Sequence, residues 1–348
     1  MNATRGGGML KFGIVGCGGI GAVHADLIAS IPDRARLVAV ADTVPTMAAG
    51  LAGRHGVDAL AGVEQLCARA DVDAVSVCLP NGMHADAAVT ALNSGKHVLI
   101  EKPIDITLAA ADRIIAAERR SGLVAGVVCQ RRFQPAFAFL HEAAHSGRLG
   151  RLTSGLVHTT YWRPQAYYDS AAWRGTWDGE GGGALITQGS HAVDLLVWMM
   201  GEPVRVSAFA GVLAHRDIEV EDTLSASVLF AGGAIGTITA TTAGYPGLPV
   251  RMQLSGDAGS AVVDGEELRY LHTRDGGGAA RADQSASAPA AHGPSSVEVA
   301  HAAQYVDFID AVERGRPPLV TTADGRRVLA LILAAYESAR SGGRPVAV

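Results

Sequence analysis

The sequence predicts two α/β domains. The first is a doubly wound parallel sheet over residues 1–130. The second, over residues 131–348, is an α+β domain built on a large, mostly antiparallel open sheet. Three observations predict this. Short apolar runs alternate with helical patterns as far as about Gln130, the rhythm of right-handed crossovers onto a parallel sheet. Beyond that point strand patterns of period two dominate, with little helix between them. The first apolar run also leads directly into a G-x-G-x-x-G, the turn that opens a nucleotide-binding unit.

Composition sets the outer bounds. A chain of 348 residues allows two domains, and 48% apolar with 18% charged residues is globular rather than disordered. A net charge of −5 gives no reason to expect nucleic acid or an anionic membrane as partner. Cys17, Cys67, Cys78 and Cys129 are widely spaced with no C-x-x-C, which reads as four reduced, buried thiols of a cytoplasmic protein, with no metal role. Met1–Gly8 lacks the apolar stretch of a secretory signal, and apolar runs such as Leu195–Met200 are too short to span a bilayer.

The elements follow in order. Leu10–Val15 is a strand, Gly16-Cys17-Gly18-Gly19-Ile20-Gly21 the turn, and Val23, Leu27 and Ile28 mark a helix that stops near Pro32. This is the Rossmann arrangement. The first glycine permits the tight turn, the second lets backbone approach a pyrophosphate, and the third lets helix and strand pack closely. Leu37–Ala41 is the next strand. It ends in Asp42, 21 positions after Gly21, where a carboxylate accepts from the adenosine ribose hydroxyls. Asp42 would repel a 2′-phosphate and no Arg or Lys follows it, so the cofactor expected is NAD rather than NADP. The same carboxylate also suits the cap of the helix entered at Pro45.

Ala74–Leu79 is a buried parallel strand ending at Pro80-Asn81, on the edge of the sheet where ligands bind. Leu79, Pro80 and Asn81 are therefore candidate cofactor neighbours, as is His84. His24 reads as a structural hydrogen-bonder. Ala85–Leu92 is a helix, His97–Ile100 a strand, Leu108–Arg120 a helix capped by Thr107, and Val124–Val128 a strand. Ala136–His145 is one more helix. Arg205–Leu213, Thr223–Phe230, Ile235–Thr241, Val250–Leu254 and Ser260–Val263 are strands with one polar, hydroxyl-rich face. A one-sided sheet of this size is expected to bury its open face in a homodimer or homotetramer. Thr273–Ser296, rich in Gly, Ala and Ser, reads as a mobile loop, and Val297–Arg314 and Ala323–Arg340 are closing helices.

Oxidation of a secondary alcohol needs a hydride acceptor, a base for the hydroxyl proton and positive charge beside the forming alkoxide. Lys102, in Glu101-Lys102-Pro103, lies just beyond a sheet strand, and Pro103 biases it to extended backbone. His191 follows the glycines 181–183 at the start of a helix that runs to Met200. Asp194, three positions on, shares its face, which suits a base with a carboxylate neighbour. The stretch Tyr161–Tyr168 with Trp173-Arg174-Gly175-Thr176-Trp177 gathers aromatics and arginines, which stack on sugar C–H faces and donate to hydroxyls or carboxylates. It equally suits a packed loop.

With these residues in place the chain resembles the Gfo/Idh/MocA family of NAD(P)-dependent oxidoreductases, from Leu10 to about Val346. The likeness rests on Gly16-x-Gly18-x-x-Gly21, Pro80-Asn81-x-x-His84, Gly95–Pro103, Arg132-Phe133-x-Pro135, Gly181–Leu185 and His191-x-x-Asp194. It implies Lys102 and His191 as the catalytic pair. Glu101 and Lys102 join the fingerprint residues around the cofactor. Arg132, Tyr168, Trp173, Arg174, Thr187 and Asp194 stand around a sugar or polyol. Thr187 departs from the pattern: inositol dehydrogenase-like members carry an Asp four positions before the histidine, and others an Asn. A hydroxyl supplies no charge to raise the basicity of His191, which leaves that part to Asp194 or to the substrate. The activity expected is NAD-dependent hydride transfer from a ring hydroxyl of a sugar, sugar derivative or cyclitol. The alternatives are a non-catalytic NAD-binding regulator of the same fold, or a glycosidase or lyase acting through transient oxidation at C3.

Overall fold

A computed structural model describes residues 9–275 and 296–348. Met1–Gly8 and most of the loop expected between Thr273 and Ser296 lie outside the described residues. The chain divides into two compact units, Met1–Gln130 with Glu298–Arg326, and Arg131–Val297 with Arg327–Val348. A linear partition at residue 130 assigns 298–326 to the second domain, whereas these residues pack with the first.

In the first unit the strands are β1 (Leu10–Val15), β2 (Ala35–Ala41), β3 (Asp58–Leu60), β4 (Ala74–Val77), β5 (His97–Ile100) and β6 (Ala125–Val127). They form one parallel sheet in the order β3-β2-β1-β4-β5-β6. The order reverses between β1 and β4, which puts the nucleotide-binding crevice at Val15 and Val77. Both faces are covered, so β4 is buried throughout and reads as an unbroken apolar run apart from Ser76. The core gathers Phe12, Ile14, Ile28, Leu37, Val40 and Leu99 with Tyr305, Phe308 and Ile309 of the helix Ser296–Arg314. Tyr305 meets Phe12 edge-on at 5.4 Å between ring centroids. The expectation lacked β3 and the short helix Val63–Cys67, both too brief to show a period.

The second unit holds β7 (Leu152–Trp162), β8 (Pro203–Gly211), β9 (Thr223–Phe230), β10 (Ile235–Thr241), β11 (Ala243–Gly256), β12 (Gly259–Asp264), β13 (Glu267–Thr273) and β14 (Val346–Ala347). Their order is β13-β12-β11-β7-β10-β9-β8-β14, antiparallel except where β7 meets β10. Leu224, Ala226, Val228 and Phe230 point to the covered face, while Thr223 and Ser225 bond across to Thr241 and Thr239 at 2.9 and 3.0 Å on the other. The helix Ser190–Met200 lies on the covered face, and Gly155 of β7 leaves room for Leu196 and Met200.

β7 sits inside the sheet, although its sequence carries no clear strand pattern. Its Thr, Ser and His blur the alternation, and its aromatic end reads as loop. Thr273, expected in the mobile loop, is the last residue of β13.

Candidate active site

The fingerprint glycines do what close packing demands. Gly16 has φ +93°, and a Cβ there would strike the Cys78 carbonyl. Gly18 and Gly19, in contrast, face open space. The helix Gly19–Ala29 begins with Gly18 as its cap. Its first internal bond runs from the Ala22 amide to the Gly18 carbonyl, so the Gly19, Ile20 and Gly21 amides have no partner within the helix. Ile20 is 40% exposed there. An uncrowded helix N-terminus with no acidic residue in its first turn fits a pyrophosphate.

Asp42 lies at the end of β2 beside this turn. One carboxylate oxygen accepts from the Cys17 amide and the other from the Val44 amide, both at 2.8 Å. The turn itself thus fixes the carboxylate that is expected to receive the ribose. Burial, with Asp42 and Cys78 nearby, pushes the Cys17 thiol up to about 12, so it stays protonated.

Lys102 follows β5 at a cis Lys102–Pro103 peptide and is half-buried. What holds it is Glu101. One oxygen of this buried carboxylate accepts from the Lys102 amide at 2.9 Å, and the other meets His24 Nε2 at 2.9 Å. His24 Nδ1 lies 2.7 Å from both Ser76 Oγ and Tyr305 Oη. Burial alone would lower the His24 imidazole. The Cys78 thiol, the Tyr305 phenol and the Glu101 carboxylate outweigh that and hold it well above its ordinary value. Burial alone would raise Glu101, but His24 and the positive charge of Lys102 hold it far below the usual carboxylate range. The pair is therefore ionic at neutral pH. Glu101, expected beside the cofactor, is only 6% exposed and instead anchors the backbone of Lys102.

His84, expected beside the cofactor, is likewise turned inward. It is fully buried, with Nδ1 2.8 Å from the Pro103 carbonyl and Nε2 2.8 Å from the Leu79 carbonyl. It ties the loop carrying Leu79, Pro80 and Asn81 to the loop carrying Lys102, and its ring is not turned to a ligand. His24, Glu101 and His301 offer three possible metal-ligand atoms within 4.8 Å of one another. Both nitrogens of His24 are already committed, so this cluster is a hydrogen-bonded network rather than an open metal pocket.

In the second unit Gly183 approaches the Glu221 carbonyl so closely that no side chain fits. A single π-type turn, Leu185–Gly189, follows and runs into the helix Ser190–Met200. Glu221 pins the start of this turn. Its carboxylate accepts from the Gly183 amide at 2.8 Å, the Leu185 amide at 2.9 Å and Tyr336 Oη at 3.0 Å. Burial nevertheless raises it to about 7. Sequence reasoning missed Glu221 because its contacts lie 36 and 38 positions back along the chain.

Thr187 Oγ1 donates to the Gly183 carbonyl at 2.7 Å within the π-turn. His191 sits partly buried in the first turn of the helix. Asp194, expected to partner His191, takes a different cation. Both its oxygens are bound by Arg132, from Nε at 2.8 Å and Nη2 at 2.6 Å, with both side chains buried. Arg132 also lies over the Trp198 ring at 5.1 Å. Both residues were expected at the substrate. They form a fork-to-carboxylate clamp inside the unit, because a buried guanidinium needs a carboxylate more than a partly exposed imidazole does.

The aromatic segment divides in two. Tyr168 is buried, bonded to Thr242 Oγ1 at 2.8 Å and packed on His215 at 4.7 Å, which is a core role rather than the substrate contact expected. Trp173 and Arg174 remain accessible, and Arg174 stacks between the Tyr167 and Trp173 rings at 4.3 and 4.5 Å. Arg163 lies over Tyr167 at 5.0 Å and donates to Gln188 Oε1, next to Thr187, at 3.2 Å.

Residues 10–128 match the oxidoreductase family with an NAD-binding Rossmann fold, and residues 137–262 match the GFO/IDH/MocA C-terminal domain. The chain is 31% identical to inositol 2-dehydrogenase from Rhizobium meliloti (strain 1021), over 94% of its own length and 96% of that protein. It is 27% identical to myo-inositol 2-dehydrogenase from Thermotoga maritima over the same shares. The WlbA dehydrogenase from Bordetella pertussis, solved in complex with NADH and UDP-GlcNAcA, matches with a TM-score of 0.86 at 31% identity, covering 98% of this chain and 99% of that one. With a glycine turn shaped for a pyrophosphate, Asp42 fixed beside it and both halves matched, the chain belongs to the GFO/IDH/MocA family and is an NAD-dependent oxidoreductase.

Proposed function

We propose that the protein is a dehydrogenase of a sugar, sugar derivative or cyclitol, oxidising a ring hydroxyl to a ketone. One observation carries this reading. A single chain of this family has both a lysine anchored at the carboxyl edge of the parallel sheet and a histidine in the first helical turn behind a pinned glycine loop. The relatives named inositol 2-dehydrogenase and the neighbour bound to UDP-GlcNAcA support the substrate class. NAD, when bound, accepts the hydride at nicotinamide C4. His191 takes the hydroxyl proton, and the Lys102 ammonium stabilises the negative charge that grows on the oxygen. Gly16, Gly18, Gly19, Ile20, Gly21 and Asp42 hold the cofactor. Lys102→Ala and His191→Ala should each retain NADH binding by fluorescence titration and lose about 10²- to 10⁴-fold in turnover on a panel of sugars, uronates and inositols. Full activity in either variant would refute its role.

The same reading includes a homo-oligomer formed through the open face of the eight-stranded sheet, and a cytoplasmic location. The four cysteines are buried and free, as a reducing compartment would keep them, and no helix of the described residues is long and apolar enough to cross a membrane.

A further inference from the structure

We infer that Arg174 and Arg163 form an oxyanion subsite beside the His191 helix, so that the sugar taken by this enzyme carries a carboxylate or a phosphate. The inference rests on the dehydrogenase reading above. Among the described residues the guanidinium of Arg174 makes no hydrogen bond and no ion pair, and only the faces of Tyr167 and Trp173 hold it. Its Nε is buried without a partner, which leaves its Nη groups as the accessible edge. Arg132, by contrast, closes on Asp194, and Arg326 and Arg327 each close on a carboxylate. A guanidinium carries five N–H donors, and keeping them partly desolvated without an acceptor is costly unless a ligand supplies one.

The second cation makes the case specific. Arg163 shares the Tyr167 ring with Arg174, at 5.0 and 4.3 Å, so two like charges are gathered around one aromatic ring. The nearby carboxylate of Glu180 is turned to the Gly175 amide at 2.7 Å. Two cations gathered at one ring repel each other, and an anion that reaches both edges relieves that repulsion. The rings also lock the forks in place, so little rotamer freedom is lost on binding.

Gln188 links this pair to the chemistry. It accepts from Arg163 Nη2 at 3.2 Å and donates to Tyr167 Oη at 3.3 Å. It stands on the π-turn beside Thr187, three residues before His191. The subsite thus orients an anionic sugar one helical turn from the base. Neutral polyols would lack this contact, and Arg174 acts as a specificity determinant.

The test compares D-glucuronate, glucose 1-phosphate and D-glucose on the NADH-loaded protein, by calorimetry and by quenching of tryptophan emission, with turnover of the same sugars measured separately with NAD+ as hydride acceptor. At least one anion should bind about 10- to 100-fold more tightly than glucose, the range of a charge-assisted contact. Which of the two wins identifies the oxyanion. Arg174→Ala should collapse the anion-to-neutral ratio towards one, and Arg174→Lys should restore part of it by keeping charge without the fork. Equal affinity for charged and neutral sugars, or a ratio unmoved in Arg174→Ala, would overturn the subsite. Turnover of neutral cyclitols with no anion preference would remove this inference and leave the dehydrogenase reading standing. Arg174-dependent anion binding without any cofactor reduction would do the converse.

Discussion

His24, three positions after the last fingerprint glycine, turns into the core and grips the carboxylate beside the proposed catalytic lysine. Its raised pKa means that its stabilisation is fully present below pH 6.5 and is lost as pH rises through the higher folded value. Glu101, with a lowered pKa, contributes above pH 4.5 and loses its contribution as pH falls toward the folded value. The pair is therefore strongest from about pH 4.5 to beyond 6.5. His24→Asn should cost about 3–5 kcal/mol in that window, because Glu101 is left charged and buried, and less in strong acid or alkali. Urea midpoints measured across pH check this, and a pH-independent loss would contradict it. The sequence reads His24 correctly as a structural hydrogen-bonder, because a histidine on the inner face of a helix needs partners. It misreads Glu101, since the network that turns it inward includes Tyr305, 281 positions from His24.

At the scale of elements, the π-turn Leu185–Gly189 depends on an anchor from the loop just before β9. Glu221, raised to about 7 by burial, holds its proton more tightly when folded than unfolded. Its contribution to stability therefore declines as pH climbs from 4.5 to about 7 and is flat above. Tyr336→Phe removes one donor to this carboxylate, which raises its pKa further. The variant should lose about 1–3 kcal/mol, with most of the loss at pH 7 and above, as followed by urea denaturation between pH 5 and 9. A loss that is equal at pH 5 and pH 8 would show that the bond Tyr336 Oη accepts from the Ile186 amide at 3.2 Å, and not the one it donates to Glu221, sets the cost. Strands with clean alternation, such as β9 and β10, were legible in the sequence to the residue. β7 was not, because a strand in the middle of a sheet is defined by its two neighbours and these come from residues 235–256.

For the whole molecule, the open sheet face is the feature with the widest reach. Phe209, Ser225 and Thr239 lie in register across β8, β9 and β10, and Phe209 is 70% and Ile235 56% exposed. Apolar side chains of this size on a flat hydroxyl-bearing surface suit a self-complementary interface. Phe209→Asp with Ile235→Lys should convert the proposed oligomer to monomer in size-exclusion chromatography with light scattering. An unchanged mass would exclude this face. Fold class and sheet type were readable from periodicity alone. The division into units was not, since no local pattern records that Glu298–Arg326 packs with the first unit.

That return of the chain has a consequence for biosynthesis. Tyr305, Phe308 and Ile309 complete the hydrophobic core around Phe12, yet they leave the ribosome more than a hundred residues after β6. The nucleotide-binding half must therefore wait, with its sheet only partly covered, while β7 to β13 are translated. A nascent polypeptide stalled near residue 290 would hold every glycine of the fingerprint and still lack the helix that seals the layer behind it.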